Sequence, residues 1–582
     1  MNKMRLRFAP SPTGALHIGG LRTALYNFLL AKKHGGTFIL RIEDTDQQRY
    51  VPGAEQYIIE SLQWFGLTPE EGPGFGGSYG PYRQSERRAT YQQYARQLID
   101  NGKAYYAFDT PEELDAARQA NPAFRYDASI RQDMKNSLSL PADAVQARLS
   151  GGEPYVIRLK VPANEQVVIQ DLIRGEVTFD TSELDDKVLM KADGLPTYHL
   201  ANIVDDYLME VSHVIRGEEW LSSTAHHVLL YRAFGWEGRM PQFAHLPLIL
   251  KPAPESFLHK DNTPALARRL AEEFTKKNPG IAAAFLEKAE PFILQVLQDK
   301  ANIAANLKEK EKDEPQKALL KAFLKDSLFG KLSKRDGDRL GFPVFPLSWQ
   351  GESADDAFVG FREYGFLPEA AINFLALLGW SPGTDQELFS MDELAEAFSI
   401  EKIGKSGARF DIDKARWFNQ QYIMKADTAY LADKVRPFIN AHGHQPGDAF
   451  LHQFVELMRE RATTLAEFWE NGYYFFEPPK AYDEKNARKR WDPSRSGLFG
   501  QLATTLDGLE PFNADAIKAS VEGFIQDSGL KFGEVLPLLR IGLAGTMQGP
   551  AVFEMMELLG RETSVGRLKQ AFLLFDAWAA QV

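Results

Sequence analysis

Near the start of the chain Met4, Leu6 and Phe8 interleave with Arg5 and Arg7, the two-residue period of a half-buried strand. Leu21, Ala24, Leu25, Phe28 and Leu29 then recur at helical spacing and form one apolar face. Thr37 to Ile42 reads as a second strand. Between strand and helix lies a turn rich in Pro and Gly, so the unit is strand, turn, helix, strand. In such a unit the ligand crevice lies at the carboxyl ends of the strands. The Gly19-Gly20 pair opens the helix, where an anion can reach free backbone N–H groups at the positive end. The pattern predicts a phosphate-handling site that contains His17.

The periodicity then alternates between elements of both kinds. Arg41-Ile42-Glu43-Asp44-Thr45-Asp46 is an acidic cluster at a strand end, and Tyr57, Ile58, Leu62 and Phe65 share the face of a helix that Gly66 ends. Glu71 to Gly80 is a loop, and a helix begins at Arg83-Gln84-Ser85-Glu86-Arg87. Strands at Tyr105–Phe108, Tyr155–Val161, Val167–Ile173 and Glu176–Phe179, with a polar helical stretch up to Ser139, indicate an α+β module inserted into a parallel α/β domain. The α/β pattern resumes at Gly194. A strand from Val211 to Ile215 ends at Arg216-Gly217-Glu218-Glu219-Trp220, and Ser222 and Ser223 stand where a helix cap belongs. Another strand follows at Pro247–Leu250.

Some 80 residues, Lys251 to Gly330, separate that strand from the basic run Lys331-Leu332-Ser333-Lys334-Arg335. They read as helices. Thr263-Pro264 is a cap with a first-turn proline, Leu266, Leu270 and Phe274 share a face, and Ile281–Leu297 and Ala318–Phe329 continue the pattern. The alternating charges of Lys308 to Glu314 suit a solvated helix face. Beyond Leu340 the chain is mostly helical: Leu367 to Gly379, Met391–Phe398, Asp413–Ile423, Thr428–His442, Phe450–Trp469 and the segments after Asn513. Pro478-Pro479 and the polar run to Ser496 read as a linker. Within it Lys485, Arg488, Lys489, Arg490 and Trp491 are either a solvated segment or an RNA contact.

Composition narrows the function. A chain of 582 residues holds several domains, since single cores stop growing near roughly 250–300 residues. A net charge of −12 argues against a generally basic nucleic-acid binder, while leaving room for a local basic face. With no cysteine there is neither a disulfide framework nor a cysteine-ligated zinc. Met1 to Phe8 has no apolar signal region, and no stretch approaches the roughly 20 apolar residues of a membrane span. The expected compartment is cytoplasmic, with no membrane partner.

The turn Arg7-Phe8-Ala9-Pro10-Ser11-Pro12-Thr13-Gly14-Ala15-Leu16-His17-Ile18-Gly19-Gly20 resembles the signature of class I glutamyl- and glutaminyl-tRNA synthetases. Gly20 stands where the general class pattern has a second histidine. Lys331-Leu332-Ser333-Lys334-Arg335 is similar to the family's second, lysine-rich signature, and the intervening insertion is the clearest departure from the family. The resemblance implies an α/β fold: a Rossmann-like parallel-sheet catalytic domain (1–104 and 191–250) with an inserted acceptor-stem-binding module (105–190). The insertion (251–330) and a loop and stem-contact domain (331–390) follow. Two all-helical anticodon-binding subdomains (391–480 and 481–582) complete the chain, as in bacterial-type glutamyl enzymes.

The resemblance also implies the chemistry. Such an enzyme joins an amino acid's carboxylate to the α-phosphate of ATP and expels pyrophosphate, so catalysis is positioning and electrostatic stabilisation. His17, Lys331 and Lys334 become the catalytic residues. Pro10, Thr13, His17, Gly19, Gly20, Lys331, Ser333, Lys334 and Arg335 hold ATP, which Mg2+ accompanies. Arg7, Ala9, Ser11, Glu43, Tyr198, Asn202, Arg216, Glu219 and Trp220 surround glutamate, with Glu43 receiving its amino group. Arginines around a carboxylate would reject the neutral amide, which places glutamate ahead of glutamine. The partners implied are L-glutamate, ATP and tRNA(Glu), with Arg461 beside the anticodon, Arg83 and Arg87 near the acceptor end, and Arg158 and Arg174 either on RNA phosphates or in salt bridges. The protein is expected to be a monomer. A glutaminyl enzyme, a truncated relative that modifies tRNA and a catalytically silent tRNA-binding paralogue are the alternatives.

Overall fold

The computed structural model describes residues 3–258, 262–281, 283–308, 314–351 and 357–580. They fall into two units, Met1–Gly360 with Ile372–Ile412, and Phe361–Ala371 with Asp413–Val582.

The first unit is built on a six-stranded sheet. Its strands are β1 (Arg5–Phe8), β2 (Thr37–Leu40), β5 (Gln166–Asp171), β6 (Gly175–Asp180), β8 (His213–Gly217) and β9 (Gln242–Leu246), in the order β2-β1-β8-β9-β5-β6. All neighbours run parallel except the hairpin β5–β6. A three-stranded antiparallel sheet of β3 (Ala104–Ala107), β4 (Val156–Leu159) and β7 (Val188–Met190) stands apart from it. The segment expected as one inserted module therefore divides. Part of it forms the small sheet, while its hairpin extends the parallel sheet and brings Asp171 beside Phe243 of β9.

Every residue of β1 is buried, not every second one. A strand inside a parallel sheet is covered on both faces, and the arginines are tolerated because each meets a carboxylate. Arg5 bonds Glu71 at 2.8 and 2.9 Å, and Arg7 bonds Asp206. Apolar alternation misled here. The helix Ile18–Lys33 is likewise buried on more than one face, with Arg22, Tyr26 and Asn27 inside as well as the expected apolar stripe. Arg22 and Tyr26 bond carbonyls of Pro247, Ala376 and Leu378. Other expectations are corrected locally. Ser222 and Ser223 fall in a 3-10 turn, Glu218–Ser223, and Ser223 makes no side-chain cap to the helix Thr224–Phe234. The polar stretch up to Ser139 holds one longer helix, Pro111–Ala120, and then turns.

The insertion leaves and returns at hydrogen-bonded neighbours. Strand β10 (Ile249–Leu250) lies beside the chain's return, with Lys251 N donating to Gly330 O and Leu332 N to Ile249 O, at 2.9 and 2.8 Å. Ends so close add little closure cost. Its helices Thr263–Lys277, Ala283–Gln298 and Pro315–Leu328 share their own core of Leu266, Leu270, Phe274, Ile293, Leu324 and Leu328. The solvated helix expected at Lys308 to Glu314 lies mostly outside the described residues.

Met391–Ile412, expected to open the helical carboxyl region, belongs to the first unit, where Lys33 Nζ bonds Phe398 O at 2.6 Å. The second unit is helical. The expected helix Phe450–Trp469 is two, Asp448–Met458 and Ala466–Gly472, with a 3-10 turn at Arg459–Arg461 between them. The expected linker is also ordered. Glu484–Arg490 is a helix, and Trp491 lies in the core, its indole N–H on Asp576 at 2.9 Å and its ring stacked on Phe572. Arg488 is bound by Glu484 and the Trp578 carbonyl. Trp491→Ala is expected to destabilise this unit by about 3–5 kcal/mol, the range for emptying a buried aromatic site. The urea midpoint of the purified protein reports it, and a residue in a loose linker would leave that midpoint unmoved.

Candidate active site

A parallel sheet binds ligands outside the strand ends where its winding reverses. Here the chain passes from β1 to β2 on one side and to β8 on the other, so the reversal falls between β1 and β8. A cleft of about 800 Å³ opens there, in the ordinary range for small-molecule sites. Arg7, Ala9, Pro10, Ser11, Thr13, His17, Gly19 and Gly20 line it from the β1 side. Glu43, Tyr198, Asn202, Arg216, Glu219, Trp220 and Lys331 line the remainder. Ser333, Lys334 and Arg335 are not among its lining residues.

His17 is the N-cap of the helix Ile18–Lys33, and its Nδ1 accepts the Gly19 N–H at 3.1 Å. That bond requires Nδ1 to be unprotonated, which leaves the hydrogen on Nε2. Nε2 is buried and makes no well-formed hydrogen bond among the described residues, although the Ser333 backbone lies near enough to act weakly on the ring. Burial first, and then Lys334 and Lys331, lower the His17 pKa to about 3. The ring is thus a neutral donor. The amides are less open than expected: Gly19 N is taken by His17, and Ile18 N donates to Val344 O. Gly20 has a packing reason as well, because a Cβ there would come within 2.7 Å of Leu16 Cδ1. Gly14, at φ +123°, adopts a backbone that side-chain-bearing residues rarely take, and Lys334 Nζ would stand 3.7 Å from its Cβ.

Below the cleft lies a network of buried charges. Asp206 accepts from Arg7 at 3.1 and 3.2 Å and from Arg41 at 2.7 Å. Arg41 also reaches Glu43, whose Oε1 accepts from Asn202 at 3.0 Å. Asp205 binds Arg87, Tyr91 and Gln84. Burial would lower the Arg41 pKa, but Asp206, Glu43 and Asp205 more than reverse it. Burial raises that of Glu43 despite Arg41, Arg7 and Asn202. The three guanidiniums Arg7, Arg41 and Arg87 are matched by the three carboxylates Glu43, Asp205 and Asp206.

Arg216 differs. Its Nε donates to His245 Nε2 at 3.0 Å, its Nη1 to Tyr198 Oη at 2.6 Å, and its Nη2 to Thr224 Oγ1 and Trp220 O at 2.7 and 3.2 Å. His227 Nδ1 lies 3.4 Å away. All these hydrogen-bond partners are neutral, although the residue is only 6% exposed. Burial pulls its pKa down and Arg7 adds to the effect, while Tyr198 and the more distant carboxylates of Asp206 and Glu43 oppose it. Asp171 Oδ2 sits 2.6 Å from His245 Nδ1, so the imidazole donates there and offers Nε2 to Arg216. The chain Asp171–His245–Arg216 crosses the adjacent strands β5, β9 and β8. Neither Asp171 nor His245 was found from the sequence. Each is one of several polar residues in its strand, and only the pairing of the strands singles it out by bringing it to Arg216.

The lysine loop closes one side. Lys331 Nζ meets Glu219 Oε1 at 2.9 Å, which ties the loop to the turn after β8. Ser333 N and Oγ donate to Asp336 at 2.7 and 2.6 Å. Burial lowers the Lys334 pKa. The acidic cluster splits by role: Glu43 joins the network, Asp44 binds Ser85, and Asp46 pairs with Arg49.

The remaining candidates lie elsewhere. Arg83 pairs with Glu55 and Glu86, and Arg87 is buried on Asp205. Arg158 is buried over the Tyr126 ring and donates to Asp186 O, so it presents no charge to RNA. Arg174 is held by Glu218 at 2.5 Å and by the carbonyls of His245 and Lys405. Arg461, in the second unit, keeps a side chain 37% exposed, with Glu460 3.9 Å away.

Two family models match the chain: "tRNA synthetases class I (E and Q), catalytic domain" over residues 3–262 and 354–417, and "Anticodon binding domain" over 430–572. A protein of Porphyromonas gingivalis named glutamate–tRNA ligase is 49% identical over 570 residues, 98% of each chain. One of the same name from Phocaeicola vulgatus is 47% identical, again with 98% of each chain covered. A crystal structure of a glutamate tRNA ligase from Elizabethkingia meningosepticum, in complex with its amino acid, is 42% identical. It superposes with a TM-score of 0.81 over 98% of this chain and 99% of that one. A histidine-capped helix beside a lysine loop, at the reversal of a parallel sheet, goes with an enzyme that activates a substrate on a nucleotide. The chain belongs to the class I tRNA synthetases of the glutamate and glutamine branch.

The neutral state of His17 has a measurable consequence. In the unfolded chain it gains a proton as pH falls through 6.5, whereas in the folded protein it does so only near 3. His199, also lowered to about 3 by burial and then His226, behaves alike. Their contribution to stability is complete above pH 6.5 and declines as pH falls from there towards 3. Nitrogen-detected NMR of the free enzyme is expected to show His17 as the Nε2–H tautomer, without titration between pH 7.5 and about 5. A midpoint near 6.5 contradicts this.

Proposed function

We propose that the chain is a glutamate–tRNA ligase. It joins the α-carboxylate of L-glutamate to the α-phosphate of ATP, with pyrophosphate leaving, and passes the glutamyl group to the 3'-terminal adenosine of tRNA(Glu). In the second step a ribose hydroxyl attacks the acyl carbon and AMP departs. The observation that carries the reading is Arg216, a buried guanidinium whose hydrogen-bond partners are all neutral. A side-chain carboxylate completes it, and a carboxamide does not.

The roles follow from position. Arg216, with Tyr198 and Arg7 beside it, takes the side-chain carboxylate of the substrate. Glu43, fixed by Arg41 and Asn202, faces its ammonium group, and Ser11 and Ala9 border the same end of the cleft, with Trp220 as its wall. The neutral Nε2–H of His17 donates to a phosphate oxygen, and Pro10, Thr13, Gly19 and Gly20 form the floor under the nucleotide. Lys331 exchanges Glu219 for phosphate, and Lys334 and Arg335, on the same loop with Ser333, add positive charge as pyrophosphate departs. Among the described residues no group of three or more His, Asp or Glu side chains is arranged to hold a metal. Magnesium accompanies the nucleotide, carried on its phosphates. No described helix is long and apolar enough to cross a membrane. Arg461, exposed within the matched anticodon-binding region, is assigned to the tRNA.

ATP–pyrophosphate exchange tests the reading. Exchange is expected with glutamate and tRNA together, and to be at least about 100-fold weaker with glutamine. Absence of exchange under every condition, with tRNA still bound, points instead to a silent tRNA-binding paralogue.

A further inference from the structure

The family model that covers the catalytic domain stops at residue 262 and resumes at 354. The unmatched stretch includes both the helical insertion and the lysine loop. It is retained in the relatives that align over 98% of the chain. Its contacts are not those of a passive appendage. The short helix Asp336–Leu340 directly follows the lysine loop, and it is bound from both sides. Arg339 makes a bidentate pair with Glu273 of the insertion helix Thr263–Lys277, at 3.1 and 2.6 Å. The same guanidinium donates to Asp336 Oδ1 at 3.0 Å and to Ser327 O at 3.4 Å. Asp336 is fully buried. Lys251, at the base of the insertion, lies 3.5 Å from its carboxylate and also bonds Asp326 O. The other oxygen of Asp336 accepts both the backbone N–H and the hydroxyl of Ser333, the residue between Leu332 and Lys334.

The connection is thus continuous: Glu273, Arg339, Asp336, Ser333, then the lysines. Each link is a charge-assisted hydrogen bond, the strong kind. Two cations, Lys251 and Arg339, share two anions, Asp336 and Glu273, and only Glu273 comes from a helix of the insertion. Without it Arg339 and Lys251 both fall on Asp336, and the carboxylate that holds Ser333 is pulled towards them.

We propose that the insertion is a positioning device for the lysine loop, with Glu273 and Arg339 as positioning residues that set Lys331 and Lys334 over the nucleotide through Asp336 and Ser333. The proposal rests on the reading of those lysines as phosphate-stabilising groups. It gives the insertion a role in the rate of activation and none in amino-acid selection, because none of the hydrogen bonds of Arg216 is to a residue of the insertion or of the lysine loop.

The test is Glu273→Gln in the full-length protein, a near-isosteric change at a partly exposed side chain, with Glu273→Asp beside it. Hydrogen exchange is expected to quicken about tenfold at the amides of Ser333 and Asp336, while those of the helix Thr263–Lys277 keep their protection. In ATP–pyrophosphate exchange kcat is expected to fall about fivefold or more, with the KM for glutamate within about twofold, and Glu273→Asp to recover part of the loss. Unchanged loop protection with unchanged kcat overturns the proposal. So does quickened exchange spread evenly over the insertion, which would mark Glu273 as a residue of that fold alone. The exchange measurement assumes no reaction: a loosened loop in a protein that activates nothing supports the coupling and overturns the functional reading instead.

Discussion

A buried guanidinium whose hydrogen-bond partners are all neutral is the constraint around which the cleft is built. Removing such a charge from water costs several kcal/mol, and neutral hydrogen-bond acceptors offset only part of that. Around Arg216 the fold supplies His245, Tyr198, Thr224, Trp220 and His227. Supplying them takes three strands from distant parts of the sequence, because Asp171 must orient His245 before His245 can serve Arg216. The neighbouring network is balanced: Arg7, Arg41 and Arg87 meet Glu43, Asp205 and Asp206. With that network neutral, the proposed reading gives Arg216 to a carboxylate of the substrate and Glu43 to its ammonium group.

The nucleotide side follows the same economy of fixed groups. His17 caps a helix through Nδ1, and that one bond sets both its tautomer and its aim. Lys331 and Lys334 then suppress its protonation, so histidine and lysines divide the work between a neutral donor and point charges. Glu219 holds Lys331 when no phosphate does. The loop itself is anchored by Asp336, whose carboxylate is governed by residues at the base and on the helices of the insertion.

Much of this could be read from the chain. The Arg7 to Gly20 turn and the Lys331 to Arg335 run are local, and their spacing encodes the turns and the helix that use them. The helices of the insertion announced themselves through Leu266, Leu270 and Phe274, all buried as their spacing implied. What stayed hidden was non-local. Alternation around Arg5 and Arg7 looked like a solvent-facing edge, because nothing nearby shows that Glu71 and Asp206 neutralise them. Trp491 sat in a polar run, and its partners Phe572 and Asp576 lie some 80 residues on. Asp171 was placed in an inserted module, whereas sheet pairing makes its strand an extension of the catalytic sheet. Arg158, on a strand of the small sheet, lies over the ring of Tyr126, a residue some 30 positions earlier in the chain.

In the proposed reading the charge of Arg216, and not the shape of the cleft, selects the substrate. The most direct measurement is the ratio of kcat/KM for glutamate over glutamine in tRNA-dependent pyrophosphate exchange, for the native enzyme and for Arg216→Gln. The ratio is expected to fall by about 100-fold or more, because the variant removes the cation that only a carboxylate satisfies. An unchanged ratio, with both substrates losing equally, would contradict it.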